Sequence, residues 1–158
     1  MRTNISLPTL TPNPFFDQFP EFDYCIYNPV SKEFYRLAEQ RHWKKGSKTW
    51  KKRWNACMNA EYDRLIGSRT TDLETWQKLC GKLQIQGDLA SIRKCKQAIA
   101  TVHVNIVDLL DCWDANKCPP KFQNRKQLTD YTAHHGRILS KAIAKQDKVL
   151  RALLRRLV

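Results

Sequence analysis

The residues best placed to do chemistry lie in the run Trp43-Lys44-Lys45-Gly46-Ser47-Lys48-Thr49-Trp50-Lys51-Lys52-Arg53-Trp54, where three indoles interleave with six cations. Ser47 opens a predicted helix here, and the free N–H groups of a first helical turn attract phosphate. Lys44, Lys45 and Lys48 would surround that phosphate, with Lys51 and Lys52 extending the surface along the helix. Trp50 and Trp54 fall on the apolar side of the helix and read as core. Trp43, in the turn, reads either as a base-stacking ring or as a ring packed under a lysine stem.

A second set of cations has helical spacing. Arg137, Lys141, Lys145, Lys148, Arg151 and Arg155 line one side of a final helix expected over about 138–157. Leu139, Ala142, Ile143, Leu150, Leu153, Leu154 and Leu157 take the other side, and Asp147 is the one acid. Ordinary solvated faces mix signs, because like charges four residues apart repel by ~0.2–0.5 kcal/mol per pair. An uncompensated stripe therefore points to an anionic partner.

Charge bookkeeping isolates the same two blocks. The 158 residues hold 28 Lys+Arg and 15 Asp+Glu, a formal net charge of +13. Residues 1–30 carry −2, 31–70 carry +7, 71–120 are neutral, and 121–158 carry +8. Basic excess confined to two blocks suits a polyanion.

Catalytic and metal signatures are weak by comparison. Gly46-Ser47-Lys48-Thr49 resembles a phosphate loop only superficially, since Arg41 stands where its first glycine belongs and Ser47 separates glycine from lysine. Cys112, Cys118, His134 and His135 match no usual zinc spacing. His134 and His135 sit at a predicted helix end, where the dipole favours an imidazolium. Asp108 and Asp111 lack the second acidic cluster of a two-metal site. No metal and no cofactor is expected, and an enzyme ranks behind two kinds of binding protein.

The elements that must position these groups are helical. Ser31 is expected to cap a helix ending near His42, and Ser47 a longer one stopped by Gly67. Thr71 and Glu74 form a capping-box pattern. Ser91 opens a helix whose apolar residues, Ile92, Cys95, Ile99, Val102, Ile106 and Trp113, keep helical spacing for some six turns. Within it, Val102-His103-Val104-Asn105-Ile106 also alternates like a strand, but with no second β-rich run to pair with, it reads as helix. Asn124 caps a short helix closed by Gly136. The expected fold is all-α, one compact bundle of about six helices over 31–158.

Residues 1–30 form an extended arm in this reading. Pro8, Pro12, Pro14, Pro20 and Pro29 oppose regular structure. Phe15, Phe16, Phe19, Phe22, Tyr24 and Tyr27 should bury their rings in grooves of the body. No stretch approaches the ~18–20 apolar residues of a membrane span, and no secretory leader is evident. With no CxxC pair, the six cysteines read as reduced, which suits a nuclear or cytoplasmic address.

A family resemblance accompanies these features. The strings Glu33-Phe34-Tyr35-Arg36-Leu37-Ala38, Gly46-Ser47-Lys48, Leu73-Glu74-Thr75-Trp76-Gln77-Lys78-Leu79-Cys80 and Ser91-Ile92-Arg93-Lys94-Cys95-Lys96 occur in that order. They are followed by Val102-His103-Val104-Asn105-Ile106-Val107-Asp108-Leu109, Ala144-Lys145 and Leu150-Arg151-Ala152-Leu153-Leu154-Arg155. Over about residues 15–158 this pattern resembles a group of small uncharacterised fungal proteins. The resemblance implies a single domain and a fungal source, and it carries no activity. The expected function is sequence-independent binding of DNA or RNA through phosphates. The alternative is a regulatory or host-directed interaction module whose basic face and aromatic arm meet an acidic protein.

Overall fold

Apolar residues three and four apart bring Val30, Phe34, Leu37 and Ala38 onto one side of helix α1 (Val30–Gln40), and all four are buried. Ser31 does not cap this helix; Pro29 holds the cap position, and the Ser31 hydroxyl is engaged elsewhere. Helix α2 (Lys48–Leu65) starts as expected, with the Ser47 hydroxyl accepting the Trp50 amide at 3.2 Å. It buries Trp50, Trp54, Cys57, Met58, Tyr62 and Leu65. Gly67 ends the turn beyond it at φ +50°, where a Cβ would lie 2.6 Å from the Asp63 carbonyl oxygen. Only glycine fits there. The computed structural model describes residues 11–67, 71–115 and 117–138. Of the helix expected over about 138–157, residues 139–157 lie outside them.

Helix α3 (Leu73–Lys82) packs against α4 (Ile92–Ile99) through Trp76, Leu79, Cys80, Cys95 and Ile99. The capping box does not form: Asp72 takes the cap position of α3 without a side-chain bond. Ser91 does cap α4, accepting the Lys94 amide. The long helix expected from Ser91 to Trp113 is interrupted. Strand β1 (His103–Val104) breaks it and pairs antiparallel with β2 (Lys121–Phe122), His103 facing Phe122 and Val104 facing Lys121. The partner strand is two residues long, too short to register as a β-rich run. Asn105 then caps α5 (Ile106–Cys112), its Oδ1 accepting the Asp108 amide at 3.1 Å. Asn124 caps α6 (Arg125–His135), which closes at Gly136 with φ +63°. The fold is all-α apart from this short ribbon.

From Asn13 to Tyr24 the aromatic arm lies on the body, while residues 1–10 of the expected arm lie outside the described residues. A 3-10 turn over Pro14–Gln18 is held by Asn13, which is fully buried. Its Oδ1 accepts the Phe15 amide, and its Nδ2 donates to the Cys57 carbonyl at 3.2 Å and to Glu61 at 2.9 Å. Phe15, Phe16, Phe19 and Phe22 are buried and join the same core as Phe34, Trp50 and Trp54. Tyr24 is half-buried against Phe16. Tyr27 departs from the expected pattern, its side chain 84% exposed. No helix among the described residues is long and apolar enough to cross a membrane.

Candidate nucleic-acid interface

From Arg41 to Asn55 the chain has seven Lys or Arg and no Asp or Glu. The structure divides these cations into two kinds. Both arginines lie over aromatic rings, Arg41 remaining exposed and Arg53 half-buried. Arg41 lies over the Phe19 ring at 5.2 Å, while Arg53 lies over Phe19 at 5.8 Å and over Trp43 at 5.6 Å. Cations so placed are attracted by the ring quadrupole. The five lysines, Lys44, Lys45, Lys48, Lys51 and Lys52, are exposed, and none pairs with a carboxylate of the described residues.

Trp43 is half-buried, edge-on to Phe19 at 5.5 Å and tilted against Phe34 at 6.0 Å. One of the two readings of this ring is thus realised in modified form: it packs under a cation, but that cation is Arg53 rather than a lysine. Trp50 and Trp54 are core, as expected, and stack nearly parallel at 5.2 Å and 11°. Tyr35 is parallel to both, and the Lys45 ammonium lies 5.9 Å from its ring centroid.

Arg137, the first member of the second basic set, has another role. Its side chain is 14% exposed and pairs with both Asp108, at 2.8 Å, and Asp111. Asp111 also accepts the Ser31 amide at 3.0 Å and the Ser31 hydroxyl at 2.5 Å. Burial raises the Asp108 carboxyl above its ordinary range despite the neighbouring guanidinium. Burial also works against the charged form of Arg137, but the Asp108 and Asp111 carboxylates outweigh it and raise its pKa. Arg137 therefore ties α1, α5 and the residues after α6 together. It is not part of an exposed, uncompensated surface. Lys141, Lys145, Lys148, Arg151 and Arg155 lie outside the described residues.

Sequence reasoning missed a junction between the two blocks. The Trp54 indole N–H donates to the Ile138 carbonyl at 3.0 Å, and a Cβ at Gly136 would lie 3.8 Å from Lys45 Cε. The end of α6 thus rests on the lysine turn. An apolar-lined cavity of about 330 Å³ opens there, bordered by Lys45, Trp50, Lys51, Trp54, Gly136 and Ile138. Its walls come from segments more than eighty residues apart, so no local motif marks it.

Among the described residues no group of three or more His, Cys, Asp or Glu is placed to hold a metal ion. His134 and His135 occupy the last turn of α6, the helix end on which they were expected. Comparison with protein-family models, curated proteins and solved structures finds no match.

Proposed function

We propose that the chain binds nucleic acid largely independently of sequence, through phosphate contacts made by Lys44, Lys45, Lys48, Lys51 and Lys52. The observation that carries this reading is five exposed lysines on one helix start and its turn, none of them in an ion pair with a carboxylate of the described residues. Phosphates hold no base information, so such contacts set affinity and register rather than sequence preference. The lysines of the 141–148 stretch and the arginines at 151 and 155 extend the same charge along the chain. Trp43 supports the turn from beneath. A nuclear or cytoplasmic address and a fungal source belong to the same proposal; the free state of all six cysteines agrees with a reducing compartment.

A salt titration tests it. Binding to mixed-sequence DNA and RNA should weaken as salt rises, because each neutralised phosphate releases counterions. Five lysine contacts correspond to a log–log slope of about −3.5 on single strands and about −4.5 on duplex. Undetectable binding at low salt, or binding indifferent to salt, overturns the proposal. An acidic protein partner is the second reading, favoured by the exposed Tyr27 ring on the arm. Captured partners that survive nuclease digestion would select it.

A further inference from the structure

The cavity beside the lysine turn pairs two chemistries that phosphate binding alone does not use. Its inner wall is the near-parallel pair Trp50 and Trp54, and Ile138, 56% exposed, forms the outer side. Among the described residues no carboxylate lines it, and Lys45 and Lys51, which border it, are in no ion pair with a described carboxylate. The wall is anchored, since Trp54 holds the Ile138 backbone by a hydrogen bond. Ligand pockets run from about 300 to about 1,000 Å³, so 330 Å³ is at the small end, sized for one ring system. A flat π-system carrying anionic phosphates matches a cavity lined by two indoles and two lysines.

We infer that this cavity receives one unstacked nucleobase of a single strand, with its flanking phosphates on Lys45 and Lys51. The inference rests on the nucleic-acid reading above and adds a preference for single strands, because a base inside a duplex cannot leave its stack without cost. Aromatic contacts of this kind tolerate any base, so sequence independence is preserved.

The test compares a thymidylate oligonucleotide with an abasic phosphodiester strand of equal length at fixed salt. The oligonucleotide should bind between about five- and about a hundred-fold more tightly and quench tryptophan emission. Ile138→Phe fills the cavity from its exposed side without altering charge. It should bring the oligonucleotide down to the abasic strand's affinity and leave the abasic strand unchanged. Trp50→Leu should do the same if circular dichroism shows it folded; Ile138→Phe decides the matter if it does not. Equal affinity of the two strands for the parent protein overturns the base pocket while phosphate binding stands. A full oligonucleotide advantage in Ile138→Phe also overturns it, by seating the base elsewhere. If neither strand binds, the nucleic-acid reading itself falls.

Discussion

Arg137 and Lys48 belong to the two basic blocks that charge bookkeeping isolates, yet the molecule uses them in opposite ways. Arg137 is enclosed by Asp108, Asp111 and Ser31 and joins three parts of the fold. Lys48 stands exposed in the first turn of α2 with no acid beside it. A formal positive charge is therefore a poor guide to binding until its carboxylates have been located. The same sorting applies elsewhere. Arg36 pairs with buried Glu33 at 2.7 Å, and Arg64 pairs with buried Glu61 at 2.5 Å. Once these are set aside, the described cations of the first block without a carboxylate partner are Lys32, the two arginines Arg41 and Arg53, which lie over rings of the arm or turn, and the five lysines of one turn and helix start, of which Lys45 also lies over a ring.

The largest test of this contrast is Arg137→Ala. Removing one partner of a buried ionic cluster leaves Asp108 and Asp111 uncompensated and should cost about 3–5 kcal/mol in denaturant unfolding. The salt slope of binding should stay unchanged wherever the variant is folded. A stable variant with a reduced slope would move Arg137 into the interface and break the comparison. Lys48→Ala and Lys51→Ala should behave in the reverse sense. Each should lower the magnitude of the salt slope by about 1 and change stability by no more than ~0.5 kcal/mol.

Alkaline titration supplies a smaller effect on the buried side. Burial, followed by the neighbouring Asp108, pushes the Tyr131 phenol up to about 12, and burial does the same for Tyr24. The ordinary value is about 10, so the folded chain holds these protons over a window in which the unfolded chain has released them. Stability should accordingly be intact below pH ~10 and decline as pH rises towards ~12. Tyr131→Phe should flatten part of that decline, read as unfolding midpoint against pH. An unaltered slope would detach Tyr131 from the cluster.

Much of the helical framework was legible in the residues themselves. Ser47, Ser91 and Asn124 cap the helices they were expected to cap, and Gly67 and Gly136 close theirs. These signals are local, as one side chain satisfies an amide three residues on. The failures are non-local. The β1–β2 pairing depends on Lys121 and Phe122 reaching His103 and Val104, and no periodicity within either segment reports that. The spacing around Ser31 predicts a cap, but Asp111, eighty residues away, claims its hydroxyl. Asn13 is buried because distant acceptors, the Cys57 carbonyl and the Glu61 carboxylate, take its amide hydrogens, whereas Glu33 and Glu61 each accept from an arginine one helical turn away.

By itself the sequence determined the all-α character, the caps at Ser47, Ser91 and Asn124, the aromatic rings of the arm and the position of each block of charge, because these follow from composition and short-range spacing. Only the tertiary structure decided which cations are neutralised, by bringing Asp108 and Asp111 to Arg137 while bringing no acid of the described residues into an ion pair with the lysine turn. It likewise made the cavity, by laying Gly136 and Ile138 beside Trp50 and Trp54. Electrostatic compensation and concavity both depend on distances through space, and a linear order of residues does not contain them.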